Sequence, residues 1–298
     1  MKKPDSYRSG VLMGVGLASL LFGVALRRWK YRRARRSWQW ASEAGRSNVA
    51  VVTGASSGIG ESFARQLAQH KLDLILVARR EERLRDLAQE LQQAHGISVE
   101  ALAADLTDAV DLERVAGRVE LIDNLELLVN NAGFGMNEKF ADSDVDRQLD
   151  MIALHVTASV RLMRAALPGM IARRHGGIIN VSSTAAFFTL PRNANYAATK
   201  AYLNVFTQSV QAELRGKGVR LQALCPGFTR TELHDHFKNR RHRAMPWFMW
   251  MRPDRVAAES LDALDSGQVV FVPGNLNKLI AFIGRTGLFN GAARMFLR

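Results

Sequence analysis

From Ser47 onward, short β-branched and aliphatic runs alternate with longer stretches of helical periodicity, and this alternation constrains the fold more than any other feature. Asn48–Thr53, Leu72–Ala78, Ile97–Ala103, Leu125–Asn130, Ile178–Ser182, Val219–Cys225 and Val269–Val272 read as buried strands. Residues near 59–70, 80–95, 108–119, 142–174, 193–216 and 254–265 repeat their apolar positions at helical spacing. Near-continuous apolar strands need cover on both faces, and parallel neighbours need a crossover, usually a helix. The pattern therefore predicts an α/β fold with a doubly wound parallel sheet, in one domain over 47–274.

The first strand runs into Thr53-Gly54-Ala55-Ser56-Ser57-Gly58-Ile59-Gly60, and a helix follows. Glycines let the backbone turn tightly and approach a pyrophosphate, whose charge is met by free N–H groups at the helix start. The sheet is thus of the Rossmann type, with Gly54, Ser56, Ser57, Gly58, Ile59 and Gly60 as candidate cofactor contacts. A tight turn without a ligand would use the same glycines. The second strand ends at Ala78-Arg79-Arg80, about twenty residues on, where NAD-binding folds place an acidic side chain for the ribose 2′-hydroxyl. That carboxylate is missing, and Arg79 would instead neutralise a 2′-phosphate, which favours NADP(H) over NAD(H). The plainer alternative is a solvated arginine opening a helix. Asp105 and Leu106, after the third strand, could bracket an adenine. Asn130-Asn131-Ala132-Gly133, after the fourth, puts small residues where backbone must lie against a cofactor.

Tyr196 and Lys200 are four apart, so on a helix they share a face. An ammonium near a phenol favours phenolate and lowers its pKa from about 10. The tyrosine can then exchange a proton with a carbinol oxygen while hydride moves on a nicotinamide. Ser183, at the end of the fifth strand, can hydrogen-bond the same oxygen. Alone, a Tyr-x-x-x-Lys pair is usually just helix surface; its place after the Gly-rich turn, the Asn-Asn-Ala-Gly run and a strand-end serine gives it weight.

In these motifs the stretch from about Asn48 to Gly274 resembles the short-chain dehydrogenase/reductase family. The family pattern of Thr-Gly-x-x-x-Gly-x-Gly, then Asn-Asn-Ala-Gly, then a serine thirteen residues before the tyrosine of Tyr-x-x-x-Lys is matched in order and spacing. The resemblance implies that Tyr196 is the proton donor or acceptor, that Ser183 orients the substrate and that Lys200 also grips the nicotinamide ribose. Pro226, Gly227 and Thr231 match the family segment near the carboxamide and diphosphate, and a homo-oligomer is expected because the family commonly forms one. One position departs. Where the family carries an asparagine that holds a relay water, this chain has His155. An imidazole can donate and accept hydrogen bonds, so it could keep the relay or titrate near neutral pH itself. The alternative is a side chain that fills the space and slows turnover, leaving a catalytically weakened nucleotide-binding regulator or scaffold.

Charge and hydropathy set the remaining expectations. Of the net charge of +13, residues 1–46 carry +9, from eleven Lys/Arg against Asp5 and Glu43. The charge is concentrated beside the uncharged run Val11–Leu26 rather than spread over a folded face, so a membrane and not a nucleic acid is the expected partner. Sixteen residues span about 24 Å, and snorkelling arginines with Trp29, Tyr31, Trp38 and Trp40 suit an interface. An uncleaved anchor near 9–26 is expected, transmembrane or surface-lying, with the catalytic domain facing the cytoplasm. A cleaved signal would carry its main positive charge before the apolar run. The single Cys225 excludes an intramolecular disulfide, and no metal site is expected.

A long insertion from about Phe228 to Pro253 holds a basic run, Lys238–Arg243, followed by Met245-Pro246-Trp247-Phe248-Met249-Trp250-Met251. The resemblance implies that this region closes over the substrate, and a basic patch followed by a large apolar one suits an amphiphile with an anionic head or a membrane surface. With the anchor, this leads to a lipophilic substrate such as a 3-oxoacyl, fatty or steroid-like compound; a self-packed lid or a dimer contact is the plainer alternative. The extension 275–298 places Leu276, Leu279, Ile280 and Ile283 on one helical face, to lie on a bilayer, cover the cleft, or pack on its own domain or a second subunit.

Overall fold

The computed structural model describes residues 47–189, 191–232 and 246–286. Its strands are β1 (Val49–Thr53), β2 (Asp73–Ala78), β3 (Val99–Ala103), β4 (Leu125–Asn130), β5 (Gly176–Val181), β6 (Val219–Leu224) and β7 (Val270–Phe271). They form one seven-stranded sheet in the order β3-β2-β1-β4-β5-β6-β7, with every pair parallel. Strand alternation feeds two cores. Ala50 and Val52 of β1, with Leu74 and Leu76 of β2, point to one face, while Val51, Ile75 and Val77 point to the other.

Helices α1 (Gly58–Gln69), α2 (Glu81–His95) and α7 (Pro253–Asp265) cover the first face through Phe63, Leu67, Leu84, Leu91, Val256 and Leu261. On the other face, α3 (Ala109–Glu120) and α5 (Ala158–Arg173) bury Leu112, Val115, Leu162 and Met170, while Phe206 and Val210 of α6 (Ala194–Glu213) pack against them. The described residues all belong to one compact unit, a Rossmann-like α/β domain. Strand order reverses between β1 and β4, which opens a crevice at their carboxyl ends.

Three local features differ from the periodicity. The helix expected over 142–174 is two helices, α4 (Val145–Ile152) and α5, joined by a π turn at Ala153–Thr157. One wider turn changes helical phase too little for an apolar stripe to reveal it, and such turns frequently mark functional sites. The ends of the insertion are tied together by a parallel bridge between Thr229 and Met251, and beyond it Trp247 and Phe248 stand exposed. The last described helix, α8 (Asn275–Arg285), packs through Asn277, Ala281 and Gly284 and turns Leu276, Leu279, Phe282 and Ile283 outward. A Cβ on Gly284 would lie 2.7 Å from the Phe188 ring, so contact is made by the helix's small side chains. Of the face expected there, Leu276, Leu279 and Ile283 are exposed and Ile280 is half-buried.

The expected anchor near 9–26 and the basic run Lys238–Arg243 lie outside the described residues. Among the described residues no helix is long and apolar enough to cross a membrane, and no cluster of His, Cys, Asp and Glu could hold a metal ion.

Candidate active site

The Gly-rich turn between β1 and α1 is cradled by the end of β4. The Thr53 hydroxyl accepts from the backbone N–H groups of Asn131 (2.9 Å) and Ala132 (3.0 Å), and the Asn131 amide donates to the carbonyls of Thr53 (2.9 Å) and Gly54 (3.2 Å). Gly54 has φ +64°, and a Cβ there would stand 2.7 Å from the Asn131 amide nitrogen. Gly58, at φ +60°, leaves room for the Thr231 methyl, 2.8 Å from where its Cβ would be. Ser57, the residue before α1, makes no side-chain cap, and Ile59 is half-buried against the core. A glycine cradle at an uncapped helix start fits a nicotinamide dinucleotide: backbone comes close, and free N–H groups face the diphosphate.

The residues expected around the adenosine end take other partners. Arg79 is 72% exposed and, among the described residues, reaches Asp105 at 3.7 Å. Asp105 holds its own loop, accepting from the Thr107 N–H (3.0 Å) and hydroxyl (2.7 Å), and these bonds help keep its pKa low despite burial. Leu106 is buried. The guanidinium that lies over the Gly-rich turn is that of Arg80, which donates to the hydroxyls of Ser56 (2.9 Å) and Ser57 (2.8 Å). Arg80 was visible in sequence as the neighbour of Arg79, but only the backbone at the start of α2 decides which side chain turns inward.

Ser183, Tyr196 and Lys200 come together at the carboxyl end of the sheet. β5 is held to its neighbour there by the Ser182 N–H on the Leu224 carbonyl (2.7 Å) and the Thr184 N–H on the Pro226 carbonyl (2.9 Å), which fixes Ser183 between them. α6 supplies the other two, and the Ser183 hydroxyl, which accepts from the Ala185 N–H at 3.1 Å, lies near that of Tyr196. Lys200 is buried, with Nζ donating to the Val181 carbonyl at 2.8 Å and 5.7 Å from the Tyr196 ring centre. Desolvation brings the ammonium down to about 7. Burial raises the Tyr196 pKa, and the nearby Ser183 hydroxyl lowers it only in part. The expectation that Lys200 makes Tyr196 acidic is therefore corrected for the ligand-free chain. The lysine turns its proton to a carbonyl, desolvation dominates, and Tyr196 stands as a neutral phenol able to donate.

His155 lies behind this group, in the π turn. Its Nε2 accepts from the Phe134 N–H (3.2 Å), its Nδ1 lies 2.9 Å from the Thr199 hydroxyl, and that hydroxyl donates to the Tyr196 carbonyl (2.9 Å). Because Nε2 accepts, the proton of the neutral ring sits on Nδ1 and donates to Thr199. Burial, then the Lys200 charge, hold its pKa well below the usual histidine range. Both ring nitrogens are occupied by protein, so the geometry leaves no nitrogen free for a relay water and no titration near neutral pH. His155 instead braces Tyr196, its ring edge-on to the tyrosine at 5.7 Å. Gly133 is the consequence, since a Cβ there would be 2.7 Å from Nε2.

Beside Tyr196 opens a cleft lined by Met136, Phe140, Gln148, Met151, Arg192 and Asn195. Gln148 is 7% exposed and its side-chain oxygen is buried without a partner among the described residues; it carries no sequence signal, because nothing local sets a glutamine on α4 apart. Beyond β6, Gly227 meets α8: a Cβ would be 2.2 Å from the Asn277 side-chain oxygen.

A sheet with its switch-point crevice, a dinucleotide cradle and a Ser-Tyr-Lys group at one end defines a nicotinamide-dependent oxidoreductase. The chain belongs to the short-chain dehydrogenase family, whose model (short chain dehydrogenase) matches residues 48–242. It is thus an oxidoreductase acting between CH–OH and C=O groups. An uncharacterized oxidoreductase of Staphylococcus epidermidis is 34% identical over 63% of this chain and 80% of its own length. The very-long-chain 3-oxoacyl-CoA reductase of Homo sapiens is 30% identical over 76% of this chain and 74% of its own. Among solved structures, a short-chain dehydrogenase from Sphingobium yanoikuyae in complex with NADPH is 33% identical, with a TM-score of 0.73 over 82% of this chain and 95% of that one. A bulky-bulky ketone specific alcohol dehydrogenase from Comamonas testosteroni is 28% identical, with a TM-score of 0.70 over 82% and 94%.

Proposed function

We propose that the protein is an NADPH-dependent enzyme interconverting a carbonyl and a secondary alcohol on a lipophilic substrate, of the 3-oxoacyl, fatty or steroid-like kind. The observation that carries this is the grouping of Ser183 and Tyr196 with a buried Lys200, whose Nζ lies 5.7 Å from the Tyr196 ring centre, beside a cleft to which Met136, Phe140 and Met151 contribute apolar wall. In this reading Tyr196 passes its proton to the substrate oxygen, Ser183 holds that oxygen, and Lys200 keeps positive charge close as the phenolate forms. The nicotinamide, when bound, supplies or accepts the hydride. Gly54, Gly58 and Gly60 with the start of α1 hold its diphosphate, and Asn131, Ala132, Gly133, Pro226, Gly227 and Thr231 line the rest. The missing carboxylate at the end of β2 and the arginines there favour NADPH. The substrate class draws support from the 3-oxoacyl-CoA reductase relatives and from Trp247 and Phe248, which the insertion leaves exposed.

The residues near 9–26 anchor this enzyme to a membrane with its catalytic domain on the cytoplasmic face, supported by the basic and aromatic flank. Val145, Leu149 and Ile152 of α4 and Tyr202 and Val205 of α6 are exposed, which suits a homo-oligomer. The test is NADPH oxidation with long-chain 3-oxoacyl thioesters beside small polar ketones. Long-chain turnover that Tyr196→Phe abolishes is expected. Equal rates on both classes would sink the substrate reading, and nucleotide binding without turnover of either would leave the regulator reading.

A further inference from the structure

Arg80 and Arg83 converge on one carboxylate. Arg80 Nη1 donates to Glu232 Oε2 at 2.6 Å and Arg83 Nη1 to Oε1 at 2.5 Å, from a residue 152 positions along the chain from Arg80. The rest of the Arg80 fork is spent on the Gly-rich turn, with Nε on the Ser56 hydroxyl (3.1 Å) and Nη2 on the hydroxyls of Ser56 and Ser57. Glu232 follows Thr231, whose methyl sits against Gly58, so the carboxylate is held beside the same turn. The cluster therefore spans the gap between the end of β2 and the Gly-rich turn, where the adenosine ribose of a dinucleotide lies in this fold.

We propose that Glu232 occupies the site of the cofactor's 2′-phosphate in the ligand-free chain, competes with it for Arg80 and Arg83, and thereby sets how strongly NADPH is preferred over NADH. The inference rests on the reading that the dinucleotide seats on the Gly-rich turn. A phosphate dianion accepts from both guanidinium groups and from the two serine hydroxyls, which can reverse to donate; a carboxylate left in place would repel it. Displacement is easy because the three side chains are 42%, 53% and 42% exposed for Arg80, Arg83 and Glu232, and exposed ion pairs are weak. Two cations facing one carboxylate also leave a positive surplus that a dianion neutralises and NADH does not. Arg79, paired to Asp105 and mostly in solvent, is then the lesser determinant.

NADPH and NADH differ only in that phosphate, so titrating the full chain with each in detergent reads the inference as a ratio of Kd values. Glu232→Gln is expected to tighten NADPH about two- to fivefold, the range an exposed pair allows, and to leave NADH where it was. The gain should shrink as salt rises. Arg83→Gln, which keeps the helix and removes one cation, should weaken NADPH and again spare NADH. Glu232→Gln that weakens NADPH would make the carboxylate a support for Arg80 rather than a competitor and overturn the proposal. So would a change that moves both nucleotides equally. A wild-type chain that prefers NADH would refute the cofactor reading alone, because the shift in the ratio still decides the role of Glu232.

Discussion

Replacing Lys200 by methionine should make the cofactor-free protein more stable while removing its activity. The ammonium is 5% exposed, and desolvation lowers its pKa from 10.5 to about 7. At about 1.4 kcal/mol per pH unit, holding that charge in the fold costs about 5 kcal/mol at pH 7. Methionine keeps the aliphatic length but leaves the Val181 carbonyl without the donor now 2.8 Å away, which offsets about 1–2 kcal/mol. A net gain of about 3 kcal/mol remains. Between pH 7 and 9 the unfolded lysine holds its proton and the folded one has released it, so the unfolded state binds more protons. Wild-type stability then rises by about 1.4 kcal/mol per pH unit through this window. The variant lacks that rise, so the gap between the two should close almost completely by pH 9. Urea unfolding followed by circular dichroism at pH 7, 8 and 9 measures it, with NADPH-dependent turnover recorded beside it. A variant no more stable than wild type at pH 7, or a gap that ignores pH, would refute the claim that burial dominates this lysine.

Three further outcomes are expected. His155 has its pKa lowered by burial, so its neutral form stabilises the fold above the unfolded value near 6.5; between pH 7.5 and 5.5 wild type should lose about 1.4 kcal/mol that His155→Gln does not, as read by urea titration. Gly54→Ala forces a side chain onto φ +64° and against Asn131, and should cost about 2 kcal/mol or more of stability together with most of the NADPH affinity, measured by unfolding and fluorescence titration. Gln148→Leu removes a buried acceptor that has no hydrogen-bond partner among the described residues. It should raise KM for substrates carrying a hydrogen-bond donor near the carbonyl, leave kcat within about twofold, and stabilise the free protein by about 1 kcal/mol.

Much of this protein is determined by local sequence. Strand and helix periods, the Gly54–Gly60 turn and the one-turn spacing of Tyr196 and Lys200 are short-range facts, and they specify a wound parallel sheet with a dinucleotide cradle and a proton-transfer pair. A right-handed crossover from β5 to β6 then carries α6 across the sheet face next to the end of β5, where Ser183 lies. Other properties exist only once distant segments meet. The His155 nitrogens are satisfied by Phe134 and Thr199, 21 and 44 residues away, so its neutrality cannot be read from its neighbours in sequence. The directions of the Tyr196 and Lys200 shifts follow from desolvation, which depends on everything packed around them. The inward turn of Arg80 rather than Arg79 follows from the backbone at the start of α2, which brings its guanidinium to the Ser56 and Ser57 hydroxyls, and the outward apolar face of α8 from the close approach of Gly284 to Phe188. Periodicity reports which residues share a face; which way that face turns, and what charge a buried group keeps, is decided by the long-range contacts that surround it.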